Sequence, residues 1–475
     1  MSPSVETHLW SSESAVLATG GHCPPGSPED WRADGVTIDS RDVQIGDLFI
    51  AIKGPSFDGH DFAADALAAG AVCAVVDHKP ETLPAGAPLL EVVDTMMALE
   101  DLGRAARSRT DARIIAVTGS VGKTGTKEAL RFVLEDQAPC VASRGSFNNH
   151  WGVPLSLSRM PADTAYGVFE IGMNHPGEIT PLVDMVRPHV AVITNVESVH
   201  SAYFDSIEAI ADAKAEIFSG LSEDGIAVLN RDNALFARLN AAAQAAGVKT
   251  VIGFGEHAEA QARAFDIRTD AEGSDVEAVI CGKDIRYRLA QPGRHWVLNS
   301  LAVLAAVDAA GGDVPAAAAE LAGLGGLKGR GRRHTVNVSG GSFTVIDESY
   351  NASPASMRAT LQVLGQSQPT GQGRRIAVLG DMLELGEQSA EHHAALADIL
   401  IAEKIDLVFA AGPFMEALWK ALPKPLHGGY AATSQEVMAL VVDAVRPGDV
   451  LVVKGSAGSR IGPIVEALIA CKDRG

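Results

Sequence analysis

The 475-residue chain has few cysteines, no surplus of positive charge and no long apolar run, and each shortage excludes something. Its five cysteines (Cys23, Cys73, Cys140, Cys281, Cys471) are scattered and odd in number, without paired metal-ligand spacing. They suit a reducing compartment and are expected to be buried thiols. Lys plus Arg total 39 against 59 Asp plus Glu, a formal charge of −20, which argues against a general nucleic-acid or anionic-membrane binder. Any anionic ligand must therefore meet local positive features. No run reaches the ~18 apolar residues needed to span a bilayer, and the N-terminal MSPSVETHLWSSES lacks a basic stretch followed by an apolar one. No membrane insertion is expected, and the cytoplasm is the expected location. The length predicts about three domains.

What is present is sharper. In RIIAVTGSVGKTGT, residues 113–126, an apolar strand runs into a glycine-flanked Gly122-Lys123-Thr124. Small residues at Gly119, Ser120, Val121, Gly122 and Gly125 let successive backbone N–H groups face an anion at a helix N-terminus. Lys123 reaches the outer phosphates, and the Thr124 hydroxyl is suited to Mg²⁺. The generic pattern asks for glycine five positions before the Gly-Lys pair, where this chain has Val117, so the loop is a shortened variant. A helix is expected over 127–135, and ATP is the expected nucleotide.

Along the chain, residues 1–109 alternate short strands (48–52, 71–76, 89–93) with helical stretches near 62–69 and 97–108. Residues 110–328 supply strands 114–117, 167–171 and 190–194 between helical patterns, the signature of a mostly parallel sheet. After a glycine-rich, cationic hinge candidate at 323–333, residues 329–475 alternate strands 343–347, 375–380, 406–412 and 449–456 with helices near 354–364, 390–403 and 434–445. The whole is α/β, with a central phosphate-loop domain and a C-terminal Rossmann-like doubly wound sheet. The chemistry belongs at the carboxyl ends of the strands.

Several residues there are out of character. Glu170 interrupts the apolar VFEIG, where a bare carboxylate is costly unless it is ion-paired or binds a metal. In SIEAIADAKAEIFSGL, Lys214 falls on the stripe of Ile207, Ile210, Ile217, Phe218 and Leu221. It either points inward, needing compensation, or lays its stem on the core and sends its ammonium to the edge. His200 in TNVESVH reads as a metal ligand, a donor or an ordinary loop histidine. Asn299 interrupts an apolar helix and reads as a purine contact, a cap or a buried polar group. Asp347, Tyr350 and Asn351 follow one strand of the third domain and Lys454 and Ser456 another, where a second substrate would be held. TIDSR, GDLFIAIKG and DGHDF near the N-terminus read alone as polar turns.

TGSVGKTGT, SFNNHWGVP, FEIGMNHPGEI, ITNVESVHS, DAKAEIF, GRHWVLN, GRG at 329–331, DESYNASPASM, VLGDMLELGE and KGS together resemble the Mur ligase family along nearly the whole chain. DESYNASPASM and VLGDMLELGE are most similar to its D-alanyl-D-alanine-adding branch. The resemblance implies ATP-dependent amide ligation through an acyl phosphate, joining D-alanyl-D-alanine to UDP-N-acetylmuramoyl-tripeptide in a monomeric enzyme. It implies that residues 1–109, including Ser40 and Arg41, take the UDP end of that substrate, and that Asn148 and Asn149 face its muramoyl part. Residues 110–328 would bind ATP and Mg²⁺, and 329–475 the dipeptide through Tyr350, Asn351, Lys454 and Ser456. By the same similarity Lys123, Lys214 and His200 serve catalysis. Glu170, His200 and a carbamylated Lys214 would hold a second Mg²⁺, Asn299 would contact adenine, and Arg330 and Asp347 would engage the nucleotide. The chain departs from the family where DDSYNANP is common, reading DESYNASP, and where Ala457 follows KGS in place of a polar or basic residue. Another amide ligase of the superfamily and a non-ligating nucleotide switch are the alternative readings.

Overall fold

The computed structural model describes residues 8–197, 203–270 and 272–473. After a short antiparallel pair, β1 (Trp10–Ser11) with β2 (Arg32–Ala33), three larger sheets follow in chain order. The first lines up β3 (Gly35–Thr37), β4 (Asp47–Ile50), β5 (Cys73–Val76) and β6 (Leu89–Glu91), all parallel. β4 and β5 are buried at every position, as unbroken apolar runs should be when both faces of a parallel sheet are covered. The helix Thr95–Ser108 starts where the Asp94 side chain accepts the Met97 N–H at 2.7 Å, an N-cap the sequence supplies directly.

The central sheet has nine strands: β7 (Arg113–Thr118), β8 (Cys140–Ala142), β9 (Tyr166–Glu170), β10 (Val190–Ile193), β11 (Ile226–Asn230), β12 (Thr250–Gly255), β13 (Ala262–Thr269), β14 (Ser274–Ile280) and β15 (Lys283–Leu289). Their spatial order is 15-14-13-12-11-10-7-9-8. The strands from β8 to β12 run parallel, whereas β13, β14 and β15 pair antiparallel and extend one edge. In β14 buried residues alternate with less buried ones, the period of a sheet with one covered face. Helices Lys123–Glu135 and Arg294–Ala309 cover one face of the sheet with Leu130, Val133, Val297 and Leu301. Leu157, Val183 and Ile210, from three other helices, cover the opposite face. The helix Arg294–Ala309 is buried almost all round, the mark of an element inside a large core.

The last sheet orders β16 (Arg332–Val338), β17 (Gly341–Glu348), β21 (Val450–Lys454), β18 (Arg375–Gly380), β19 (Leu407–Ala411) and β20 (His427–Ala431). It is parallel apart from the β16–β17 hairpin, which leads directly out of the glycine-rich hinge. Of the cysteines only Cys73 is fully buried; the other four are half-buried. No helix among the described residues is long and apolar enough to cross a membrane.

Candidate active site

β7 is the strand at which the central sheet reverses its winding. The chain leaves it for β8 and β9 on one side, then crosses to β10 on the other. Such a switch point opens a crevice beyond the carboxyl ends of the strands. The helix after β7 begins at Lys123, four residues earlier than periodicity predicts, with Gly122 as its N-cap at φ +87°. Gly119 lies at φ +149°, and a β-carbon there would stand 2.0 Å from Thr194 Oγ1, so the tight turn admits only glycine. The loop is clamped to the segment after β10: Ser120 N–H donates to Asn195 O at 2.8 Å, Ser120 Oγ to Glu197 O at 3.0 Å, and Thr194 Oγ1 to Val121 O at 2.6 Å. Gly125 packs against Trp296, whose ring a β-carbon would meet at 3.1 Å.

Register explains how Glu170 reaches this loop. β7 and β9 pair with Val117 opposite Glu170, so the last residue of β9 ends beside the start of the turn. Glu170 is buried at 1% exposure. One carboxylate oxygen accepts from Thr124 Oγ1 at 2.7 Å and the other from Asn148 Nδ2 at 2.7 Å. Ser146 Oγ lies 3.4 Å from Thr124 Oγ1. Lys123 Nζ donates to Gly119 O at 2.6 Å. Burial draws the Lys123 ammonium below the ordinary lysine range; Glu170 opposes that shift and Arg330 adds to it. Lys214 turns inward, at 2% exposure. Desolvation, reinforced by the Lys123 ammonium, pushes it well below the usual range. His200 lies outside the described residues.

A cleft of about 350 Å³ joins the loop to the C-terminal domain, lined on one side by Ser120 to Thr124, Ser146, Asn148 and Glu170. Its other side carries Arg330, Tyr350, Asn351, Leu383, Lys454 and Ser456, with Ala457 at the position of the family departure. Lys454 is buried, donates to Asn351 O at 2.9 Å and lies 3.4 Å from Glu348 Oε2. An adjoining cavity of about 230 Å³ is lined by Gly122, Asn195, Glu197, His295, Asn299 and Arg330. Asn299 overhangs Gly122, where a β-carbon would approach its Oδ1 to 2.9 Å. Burial, with the Lys454 charge, lowers His295 to about 4 and leaves the imidazole neutral at pH 7. Arg330 lines both cavities and stacks on Tyr350, 4.3 Å from the ring centroid.

Other expected site residues have structural partners. Asp347 Oδ2 accepts the Gly329 N–H at 2.8 Å and Oδ1 the Ser349 hydroxyl at 2.6 Å, tying the hinge to β17. Asn149 Oδ1 accepts N–H groups of Trp151 and Gly152, at 3.2 and 2.9 Å, and starts the helix Gly152–Ser158. Arg41 grips Asp39 at 2.6 Å on the surface of the first domain. Neither Ser40, Arg41 nor Asn149 lines the two cavities. Spacing gave no warning of Ser146, nor of Glu197 and the Asn230 and Asn233 amides that meet Asn195 at 3.4 and 2.5 Å. Far from the cleft, His60, Asp77 and His78 bring ligand-type atoms within 4.8 Å of one another. His60 is already committed there, Nδ1 to Asp58 at 2.7 Å and Nε2 to the Asp77 N–H at 3.1 Å.

Residues 32–107 match the Mur ligase family catalytic domain, 117–307 the Mur ligase middle domain, and 331–457 the Mur ligase glutamate ligase domain. The chain is 32% identical over 458 residues to a UDP-N-acetylmuramoyl-tripeptide--D-alanyl-D-alanine ligase of Rickettsia prowazekii, covering 96% of this chain and 99% of the relative. A crystal structure of MurF from Acinetobacter baumannii superposes with a TM-score of 0.83 at 30% identity, covering 97% of this chain and 99% of that one. MurF ligase from Thermotoga maritima in complex with ADP gives 0.76 at 27% identity, covering 92% and 98%. With its three domains matched in order and its relatives aligned end to end, this chain belongs to the Mur ligase family.

Proposed function

We propose that the chain joins D-alanyl-D-alanine to UDP-N-acetylmuramoyl-tripeptide, converting ATP to ADP and phosphate through an acyl phosphate, in the cytoplasm and as a monomer. The observation that carries the reading is the cleft itself. A phosphate loop with a buried Thr124–Glu170 pair faces the carboxyl ends of β17 and β21, the arrangement that holding a nucleotide and a peptide end to end requires. The names of the full-length relatives supply the substrates.

In this reading the loop N–H groups and Lys123 hold the β- and γ-phosphates, Lys123 leaving the Gly119 carbonyl to do so. Asn299 and the neutral His295 meet adenine in the smaller cavity, and Arg330 bridges the two cavities. The tripeptide carboxylate attacks the γ-phosphorus and ADP leaves. The dipeptide amine then attacks the acyl carbon, and phosphate departs as the amine loses its proton. Such a sequence demands position and charge neutralisation more than a protein nucleophile. Lys454 and Ser456, with Tyr350 and Asn351, take the dipeptide, while Ser40 and Arg41 belong to the domain that takes the UDP end.

The residues fit Mg²⁺. The Thr124 hydroxyl and Glu170 carboxylate are hard oxygen donors 2.7 Å apart, close to the roughly 3 Å between neighbouring ligands of an octahedral ion. When bound, the ion supplies neutralisation of charge on the transferring phosphoryl group. Asn148 orients Glu170 for it, and a carbamate on Lys214 would turn a repelling ammonium into an oxygen donor. Phosphate release tests the whole reading. It should require ATP, UDP-N-acetylmuramoyl-tripeptide and D-alanyl-D-alanine together, with mass spectrometry finding the lengthened peptide. Release with the dipeptide precursor and a free diamino acid in their place, or release insensitive to all peptide substrates, would overturn it.

A further inference from the structure

We infer that Lys127 is a positioning residue for the metal-facing wall of the cleft, acting through the segment 143–149; this rests on the proposed function. Lys127 is fully buried, at 0% exposure, on the helix that follows the phosphate loop. Lysine stems usually let the ammonium reach water, so a buried one needs compensation from all sides. Here Nζ donates to Ser143 O at 2.6 Å and Gly145 O at 3.0 Å, and contacts Glu128 Oε1. Glu128 in turn accepts from Arg131 Nε at 3.0 Å, which completes the compensation.

The two carbonyls belong to a segment with no helix or strand of its own. Its ends are pinned to β9 and to the residues that follow it. Ser143 N–H donates to Val168 O at 3.1 Å, Ser143 Oγ accepts the Glu170 N–H at 3.1 Å, and Asn148 O accepts the Gly172 N–H at 2.8 Å. Between these pins Gly145 takes φ +52° and the chain arches over the helix. Lys127 holds that arch from below. The arch carries Ser146, which faces Thr124, and leads to Asn148, which fixes one oxygen of Glu170. A single ammonium thus ties the phosphate-loop helix to the groups that orient its threonine and its carboxylate. Removing it leaves two carbonyls without their charged donor and lets Asn148 wander from Glu170.

The test uses Lys127→Met, which keeps the length of the side chain and removes charge and donors. Hydrogen exchange of residues 143–149 should accelerate in the full chain. Binding of ADP measured calorimetrically without magnesium should be unchanged within about twofold, since the loop N–H groups and Lys123 are untouched. The Mg²⁺ concentration giving half-maximal ligation should rise about tenfold, the lower end of what loss of an orienting partner costs a metal site. Placed on an Asn148→Ala background, Lys127→Met should add little to that rise, because both act on Glu170. Lys127→Gln, retaining a donor for one carbonyl, should show the same pattern in weaker form and serves if the methionine variant does not fold. Unchanged exchange with an unchanged Mg²⁺ requirement would overturn the proposal. So would a full additional effect on the Asn148→Ala background, which assigns Lys127 a general structural role. Failure of ligation by the wild-type chain would instead count against the proposed function alone.

Discussion

At Lys214 stability and the proposed function make opposing demands. Its side chain is 2% exposed, and desolvation together with Lys123 drives its pKa down. An amine whose folded pKa lies below its unfolded value binds fewer protons folded than unfolded. Its penalty is therefore absent above the ordinary lysine range, grows as pH falls through it, and is complete below the folded value. Lys214→Met should accordingly raise the melting temperature of CO₂-free protein at pH 7, and the gap to wild type should close as pH rises toward the ordinary lysine range. The same variant should lose about 100-fold or more in ligation rate, beyond what an orienting partner contributes. Acetate should restore part of that rate to Lys214→Ala, where a cavity for it exists. Calorimetric scans across pH and rate measurements check the two halves. A variant both less stable and fully active would show that the lysine is merely packed. The inward turn was one of two readings open to the sequence, because helical spacing fixes a direction but not whether a long stem reaches the edge.

At the scale of elements, the strand–turn–helix at 113–135 shows what periodicity and residue type can predict. Apolar Ile114 to Val117 demanded a buried strand, and the turn of N–H groups toward an anion is made with Gly119 and Gly122 at positive φ. Gly119→Ala should drive a β-carbon into Thr194 Oγ1 and displace the whole turn. ADP affinity by calorimetry should fall at least about tenfold, or 1.4 kcal/mol, while far-ultraviolet dichroism stays unchanged. Retained affinity would mean that the turn does not hold the nucleotide. What the sequence concealed depends on which elements become neighbours. Glu170 meets Thr124 across 46 positions because β9 inserts beside β7, and spacing alone carries no such information. Lys127 hides for a different reason: beside Glu128 in an amphipathic helix it reads as part of a solvated face, whereas the arch of 143–149 lies against it in the fold. Asn149, adjacent to the cleft-lining Asn148, spends its amide oxygen on a helix start, an ordinary fate for asparagine that a motif cannot separate from ligand contact. The antiparallel extension β13–β15 went unread, with no strand expected there, although β14 alternates buried and less buried residues as an edge of a one-sided sheet does.

For the whole molecule, the decisive point is that no one domain contains the site. The central domain supplies the phosphate loop and Glu170, and the last domain supplies Tyr350, Asn351, Lys454 and Ser456, across a cleft of about 350 Å³. The hinge between them is held by two hydrogen bonds to one residue: Gly329 N–H to the Asp347 carboxylate at 2.8 Å and Gly331 N–H to its carbonyl at 2.8 Å. Arg330 lies between those anchored glycines, so its backbone is fixed while its guanidinium reaches over Tyr350 into both cavities. In the proposed function this placement would let Arg330 relay occupancy of the smaller cavity to the last domain, where the dipeptide is proposed to bind. Arg330→Ala leaves both backbone anchors intact and should change the melting temperature little. kcat/KM for ATP should fall about 100-fold, the scale of losing one charge-stabilising donor at a phosphoryl centre. KM for D-alanyl-D-alanine should rise as well, because Tyr350 loses its stacking partner on that wall. Arg330→Lys keeps the charge without the planar stack and should recover the ATP parameter more than the dipeptide one. Steady-state kinetics with each substrate varied in turn decides it: a loss confined to ATP would make Arg330 a nucleotide contact only, and coupling between the domains would then have to run elsewhere.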